Sequence, residues 1–321
     1  MPARRSLVTG AAGFVGSHLA ERLVADGHTV VGVDSLTDYY AVAQKRRNLA
    51  TLQREPRFSL VSDDLLEADL ERLLEGVDYV FHQAGQPGVR ASWGKSFEAY
   101  VKHNVLATQA LLEAVRAAGR LQRFIYASSS SVYGDAEQLP VREDALPRPV
   151  SPYGVTKLAA EHLCVLYAKL GVPTVSLRYF TVYGPRQRPD MAFHKFIRAM
   201  LEGREIDVNG DGRQTRDFTF VTDIVEANLA AASRPVAGLT GRVYNLGGGT
   251  RISVNDVLSL LRDVVGAPAR VRHRPEPPGE ARHTYADTSA ARAALGFVPR
   301  VALRDGLAAE TAWLRAELGL G

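Results

Sequence analysis

Tyr153-Gly-Val-Thr-Lys157 sets a phenol and an ammonium one helical turn apart, on the same face of a helix. A lysine held near a tyrosine favours the phenolate, lowering the phenol's pKa toward a value useful for taking a proton from an alcohol. With 12 tyrosines in the chain this spacing can also arise by chance, so its placement decides its meaning. It opens the helix that comes after a β run ending in Ser128-Ser129-Ser130-Ser131-Val132-Tyr133-Gly134. A serine hydroxyl there can hydrogen-bond the alcohol oxygen and ease its proton onto Tyr153. A serine run is otherwise a flexible loop, but one that follows a β run so tightly and resumes with Val-Tyr-Gly reads as the second half of a site. Ser129, Tyr153 and Lys157 are therefore the expected catalytic triad.

A second constellation lies at the start of the chain. Gly10-Ala-Ala-Gly13-Phe14-Val15-Gly16 sits between the first strand and the first helix. Glycine lets the backbone turn sharply and approach a pyrophosphate, whose charge the helix N-terminus then meets. The spacing is GxxGxxG rather than GxGxxG. Among 28 glycines such a pattern is weak by itself, and its position between strand and helix raises it. The next strand ends in Asp34, where a carboxylate accepts hydrogen bonds from an adenosine ribose diol and repels a 2′-phosphate, so NAD is expected over NADP. The alternative for Asp34 is a helix cap. Asp64 and Leu65 follow the third strand and are expected at the adenine. Gln83, Ala84 and Gly85 follow the fourth, where the small Ala84 and Gly85 leave room for a cofactor crossing the sheet edge.

Positioning these groups requires a parallel sheet. Ser6–Thr9, Thr29–Asp34, Phe58–Val61, Val77–His82, Phe124–Ala127 and Thr174–Tyr179 read as buried strands, with helical patterns between them, notably Ser96–Ala118 and Tyr153–Leu170. The fold class expected is α/β: a doubly wound parallel-sheet Rossmann domain with a smaller mixed α/β substrate lobe. All strand C-termini then face one crevice. The expected division is residues 1–183 for the cofactor domain, with a return near 217–248, and 184–321 for a smaller, discontinuous lobe that closes over the sheet's C-terminal edge. There the segments shorten and grow rich in Pro, Gly and Arg, as in Arg270–Arg282.

The chain has 321 residues, 46% hydrophobic and 23% charged, enough for a large core in one domain or two unequal lobes. No run of about 18 apolar residues is present, so no membrane-spanning helix is expected. The N-terminus does not read as a signal peptide, and a cytoplasmic protein is the expectation. Cys164 is the single cysteine, which excludes an internal disulfide and a thiolate zinc cluster, and no metal is expected. A net charge of +4 raises the question of nucleic acid. The basic residues are dispersed among acidic ones, and 33 of the 39 are arginine, a skew typical of a GC-rich genome. No nucleic-acid partner is expected.

Together, TGAAGFVG, Asp34, SSSSVYG and YGVTK resemble the extended short-chain dehydrogenase/reductase family, in its NAD-dependent nucleotide-sugar epimerase/dehydratase branch. The resemblance runs over nearly the whole chain and implies that Tyr153, Lys157 and Tyr179 also touch the cofactor. Asn209–Asp223 is similar to the family's nucleoside-diphosphate segment, which makes Arg216 a phosphate-gripping arginine and Arg282 a second clamp, although both could be surface residues. Members of this family begin by oxidising the sugar at C4. Its 4,6-dehydratases carry Asp-Glu just after the triad hydroxyl, and its uronate decarboxylases an acid in the same stretch. Ser130 and Ser131 stand there in this chain, which leaves 4-epimerisation. The stretch Arg178–Ala192 resembles UDP-glucuronate 4-epimerases, as do Leu36–Tyr40 and Gln86–Arg90. Ser129, Ser130, Ser131 and Thr181 are then hydroxyl donors near C5 and C6 that can hold a carboxylate, with Ala192 and Phe193 nearby, Phe193 next to uracil or in the core. Gln83 and Gly85 depart from the common Leu and Ala. Rival readings are a UDP-glucose or UDP-N-acetylglucosamine 4-epimerase and a non-catalytic NAD-binding regulator. The resemblance also implies a homodimer, in which the Ser96–Ala118 and Tyr153–Leu170 helices would pair through Leu106, Leu111 and Leu163, unless these are buried within one chain.

Overall fold

Twelve strands form among the described residues, most of them β-branched and apolar runs. In chain order they are β1 (Arg5–Thr9), β2 (Thr29–Val33), β3 (Phe58–Val61), β4 (Tyr79–His82), β5 (Arg123–Ser129) and β6 (Thr174–Tyr179). The remainder are β7 (Thr181–Tyr183), β8 (Ile206–Asn209), β9 (Thr215–Phe220), β10 (Arg242–Leu246), β11 (Arg251–Ser253) and β12 (Val271–Arg274). The structure, a computed structural model, describes residues 4–235, 238–276 and 279–320.

Seven strands make one wholly parallel sheet in the order β10-β6-β5-β4-β1-β2-β3. After β3 the chain crosses back over β1, so β1 and β4 are neighbours, with Thr9 opposite His82. Loops leaving these two strands turn to opposite faces, which opens a crevice at the sheet's C-terminal edge. The strands are buried on both faces, and two apolar cores fill the layers. Two further sheets, β11-β9-β7 and β12-β8, lie beyond the large one. The α/β expectation matches this architecture.

The details differ in instructive ways. Strand β5 runs on through Ser128 and Ser129, so the first half of the serine run is held by parallel pairing to Arg178 and Tyr179. The helix expected over Ser96–Ala118 is α-helical at Phe97–Tyr100, π-helical at Val101–Leu106 and α-helical again at Ala107–Ala118. The second long helix spans Pro152–Lys169; the Ser151 hydroxyl caps it by accepting from the Gly154 amide at 3.1 Å, with Pro152 in the first turn. Of residues 217–248, only β10 rejoins the large sheet, pairing with β6. Strand β9 belongs to the smaller sheet, and the helix Val221–Ser233 packs against the helix Phe14–Ala25. Among the described residues no helix is long and apolar enough to cross a membrane.

Asp217 staples the small sheet to the chain that follows β10. It is fully buried and accepts from the amides of Gly248 at 2.7 Å and Ala286 at 3.0 Å. Burial pushes its carboxyl up to about 6 against the pull of those amides. A raised folded pKa means its contribution to stability is full below its ordinary 3.8 and is lost as the pH rises through about 6. Asp217→Ala strips two buried amides of their acceptor and is expected to cost on the order of 2–4 kcal/mol. Melting curves should show the widest gap from wild type in acid, narrowing as the pH is raised through about 6.

Candidate active site

The crevice beside β1 is shaped by glycines that nothing larger can replace. Gly10 has φ 69°, and a Cβ there would lie 2.8 Å from the Ala84 nitrogen; a Cβ on Gly16 would fall 2.1 Å from the Gly10 carbonyl. The helix Phe14–Ala25 therefore begins directly against the turn, capped by Gly13, with its amide end open to the cavity that Phe14, Val15 and Gly16 also line. Asp34 lies at the far wall. Its carboxylate accepts from the amides of Ala12 at 3.0 Å and Leu36 at 2.8 Å, with Lys45 at 3.8 Å. It does not act as a helix cap and keeps lone pairs facing the cavity. Asp64 and Leu65 line the same cavity. Burial opposes the charge of Asp64, but Lys102 at 2.9 Å and the Leu66 amide hold its carboxyl below the usual range.

Gln83, Ala84 and Gly85 line the same cavity under β4. The Gln83 amide forms a triangle with Tyr179, whose hydroxyl donates to Gln83 Oε1 at 3.0 Å, and with Asn228 at 3.1 Å. This polar triangle fixes the Tyr179 ring at the inner end. A dinucleotide fits these walls: a glycine cradle with a helix N-terminus for the pyrophosphate and a carboxylate at one end for a ribose diol.

Tyr153 and Lys157 enter from the helix Pro152–Lys169, and Ser129 from the end of β5. Ser129 and Tyr153 line the same cavity. Burial raises the phenol's pKa, while the Ser129 hydroxyl and the charge of Arg188 pull it down. Lys157 stands one helical turn on from Tyr153 in the same helix. Its ammonium lies 4.5 Å over the Tyr126 ring and faces Gly85, and burial lowers its own pKa to about 8. Arg188 is a further cation whose charge bears on the phenol. His82, beneath Lys157, is held between Thr9 at 2.7 Å and Thr108 at 2.9 Å, and burial pushes it down to about 3, so it stays neutral.

A larger cavity continues from this point, sharing Ser128, Tyr153, Tyr179 and Arg188 with the first. Ser129, Ser130 and Ser131 line one wall; Thr181, Ala192 and Phe193 line the other. Phe193 also stacks on Phe218 at 4.3 Å, so it serves the core as well as the cavity. Arg216 reaches the cavity, where it lies 3.5 Å from Glu280. Arg282 does not. Its exposed guanidinium turns outward to Asp211 at 3.1 Å and Glu276 at 3.0 Å, because those two acids outside the cavity satisfy it. Arg282 is therefore not brought to the cavity wall in this structure, whereas Arg90 is, ion-paired to Glu280 there.

Three residues received no role from the sequence. Arg188 is one, a buried cation forked onto Asp190 through Nε at 2.9 Å and Nη2 at 3.0 Å, with the Tyr39 hydroxyl also on Asp190 at 3.3 Å. An Arg-Pro-Asp run within a cavity-forming stretch was the available signal. Arg90 is the second. The third is Asn104 in the π-helical turn, whose amide ties Gln86 to Thr156, bonding the Gln86 amide at 2.7 Å and the Thr156 hydroxyl at 2.9 Å. A lone asparagine on the inner face of an otherwise apolar helix was its only trace.

The NAD dependent epimerase/dehydratase family model matches residues 6–247. The chain belongs to this family. A Bacillus cereus UDP-glucuronic acid 4-epimerase, solved in complex with UDP-glucuronic acid and NAD, is 45% identical and superposes with a TM-score of 0.95 over 98% of this chain and 99% of its own. A Bacillus subtilis (strain 168) protein named as an uncharacterized UDP-glucose epimerase, YtcB, is 47% identical over 96% of this chain and 97% of its own. The UDP-glucuronate 4-epimerase of Thermodesulfobacterium geofontis (strain OPF15) is 35% identical over 98% and 97%. As an NAD dependent epimerase/dehydratase, the protein uses NAD.

Two outcomes follow for the cofactor crevice of this epimerase/dehydratase. Gly16→Ala forces the Gly10 carbonyl aside, and the purified variant is expected to carry roughly tenfold less NAD than wild type, measured by releasing the cofactor with acid. With Lys157 poised at about 8, turnover is expected to fall as the pH rises through that value and the ammonium is lost. A flat profile across that range would show that the charge of Lys157 is not used.

Proposed function

We propose that this protein converts UDP-glucuronate to UDP-galacturonate and back, by 4-epimerisation. The observation that carries this reading is the sugar end of the larger cavity, walled by Ser129, Ser130, Ser131 and Thr181 with Arg188 beside them. Its acids are already engaged: Asp190 by Arg188, Asp207 by Arg272 and Arg274, and Glu280 by Arg90. No free carboxyl stands after Ser129 to remove a C5 proton or to protonate a leaving 6-hydroxyl. Hydroxyls and one partly neutralised guanidinium suit a carboxylate on C6.

In this mechanism the phenol of Tyr153 takes the C4 hydroxyl proton, helped by the Ser129 hydroxyl on the same oxygen. Bound NAD supplies the hydride acceptor at C4, returns the hydride, and adds positive charge that favours the phenolate. Lys157, desolvated under the crevice, is proposed to hold the cofactor's ribose and keep its charge near the reacting pair. Arg90 and Arg216 are proposed to hold the diphosphate while the keto sugar turns its other face inward. Tyr153 then gives the proton back. The full Ser-Tyr-Lys set argues against a non-catalytic regulator.

A 4-keto uronate is a β-keto acid, prone to lose CO₂ when its C5–C6 bond aligns with the carbonyl π system. The hydroxyl wall is proposed to hold the carboxylate out of that alignment. We further propose a homodimer through the exposed Leu106, Val155, Leu166 and Leu170 on the two long helices. Leu111 is fully buried against its own sheet and so lies outside that interface, while Leu163 packs partly on the same core. A cytoplasmic location suits an enzyme whose substrate and cofactor are both charged nucleotides.

The test is to incubate the purified protein with UDP-glucuronate, adding no cofactor, and to resolve products by chromatography and mass. An isomer of equal mass eluting with UDP-galacturonate is expected. Conversion of UDP-glucose or UDP-N-acetylglucosamine instead would discard the uronate assignment, and a product lighter by CO₂ would overturn the role given to the serines. Tyr153→Phe is expected to slow turnover on the order of 10³-fold. Thr181→Ala and Ser130→Ala should each increase the released UDP-4-keto-pentose; unchanged product ratios in both would sink the alignment idea.

A further inference from the structure

Ser128 and Tyr133 bracket the loop that carries Ser129, Ser130 and Ser131, and both are fastened to one buried ion pair. Glu161 lies one turn beyond Lys157 on the same helix and is 2% exposed; Arg178 sits in β6 and is 4% exposed. Arg178 meets Glu161 as a fork, Nη2 to Oε1 at 2.6 Å and Nε to Oε2 at 2.9 Å. The Ser128 hydroxyl donates to Glu161 Oε2 at 2.6 Å. On the other side, Arg178 Nη1 donates to the Tyr133 hydroxyl at 2.6 Å, and that hydroxyl donates onward to Asn245 Oδ1 in β10 at 2.7 Å. Both carboxylate oxygens and all three guanidinium nitrogens are thereby used.

Between these anchors the loop has little freedom. The Ser131 amide donates back to Ser129 Oγ at 3.2 Å, and the Tyr133 amide to the Ser130 carbonyl at 3.1 Å. Its rear presses on the catalytic helix, since a Cβ on Gly154 would lie 2.5 Å from the Ser131 carbonyl. A buried ion pair contributes little net stability, because desolvation of the two charges offsets their attraction. What this pair does contribute is geometry: it fixes the two ends of the serine loop to the same helix that presents Tyr153.

We propose that the Glu161–Arg178 pair is the positioning element of the serine loop, acting through Ser128 and Tyr133 to set where a uronate carboxylate lies relative to C4. The inference rests on the function proposed above. At the 4-keto stage two routes compete. In one the carboxylate stays out of line and the ketone is reduced from its other face. In the other the C5–C6 bond breaks, its electron pair passes to C5 and onto the C4 oxygen as an enolate, and CO₂ departs. C5 then takes a proton from water, leaving UDP-4-keto-pentose. Only the second route needs the carboxylate to turn, so the setting of the loop decides the partition.

The decisive experiment uses Tyr133→Phe and Ser128→Ala, each of which removes one hydroxyl anchor and leaves the ion pair intact. UDP-glucuronate is supplied to each holoenzyme, and the ratio of UDP-4-keto-pentose to UDP-galacturonate is measured by mass alongside the melting temperature. Each variant is expected to raise that ratio about tenfold, with the double variant higher still. A lower melting temperature or slower turnover at an unchanged ratio would assign the pair to folding alone and overturn the proposal. The two variants reach the loop from opposite ends, so if one fails to fold the other still decides. A wild-type enzyme inert toward UDP-glucuronate would instead remove the function on which the proposal rests, a result distinct from an unchanged ratio.

Discussion

Every group in this site depends on the reversal of strand order between β1 and β4. Because the chain returns across β1 after β3, the loops beyond these strands splay to opposite faces, and a crevice opens at the one edge where all strand ends converge. The glycine turn after β1, Asp34 after β2, Gln83 to Gly85 after β4 and Ser129 after β5 are separated by long stretches of chain. A parallel sheet brings them to one line because its strands all end on the same side. The helix of Tyr153 and Lys157 then needs only to cover that edge.

Burial governs the chemistry as much as proximity does. Lys157 gives up much of its affinity for a proton because it is removed from water, and the Tyr126 ring face compensates only in part. Tyr153 is pushed the opposite way by the same desolvation. The site therefore holds a phenol reluctant to ionise next to cations that its surroundings make reluctant to stay charged. Arg188 escapes this conflict since guanidinium keeps its proton under all ordinary conditions, and Asp190 fixes its direction.

The cofactor end is legible in the sequence because its requirements are local: glycine spacing, a carboxylate at a strand end and a Tyr–Lys step fix the backbone that holds them. The sheet is legible for a similar reason, since each buried strand is a short apolar run between turn residues. Side-chain direction is not encoded that way. The sequence does not show that the Lys157 ammonium lies over the Tyr126 ring, that the charge of Arg188 bears on Tyr153, or that Arg282 pairs with Asp211 and Glu276. The π-helical turn at Val101–Leu106 is invisible to a periodicity that assumes uniform helix. Leu111 and Leu106, both apolar on one helix, differ only in which of them meets the sheet.

The parallel pairing of β10 with β6 has a bearing on how such proteins can be remodelled. The chain leaves the large sheet after β6, builds β7, β8 and β9, and comes back to contribute a further strand before finishing with β11, β12 and two C-terminal helices. The smaller sheets are thus laced into the large one, with Asn245 of β10 bonded to Tyr133 at the heart of the serine loop. Exchanging specificity by grafting a C-terminal half from a relative would sever that strand from its neighbours and release the loop at once. A graft would have to carry β10 and its partners as a set, so substrate preference in this architecture changes more readily residue by residue than by transplanting a module.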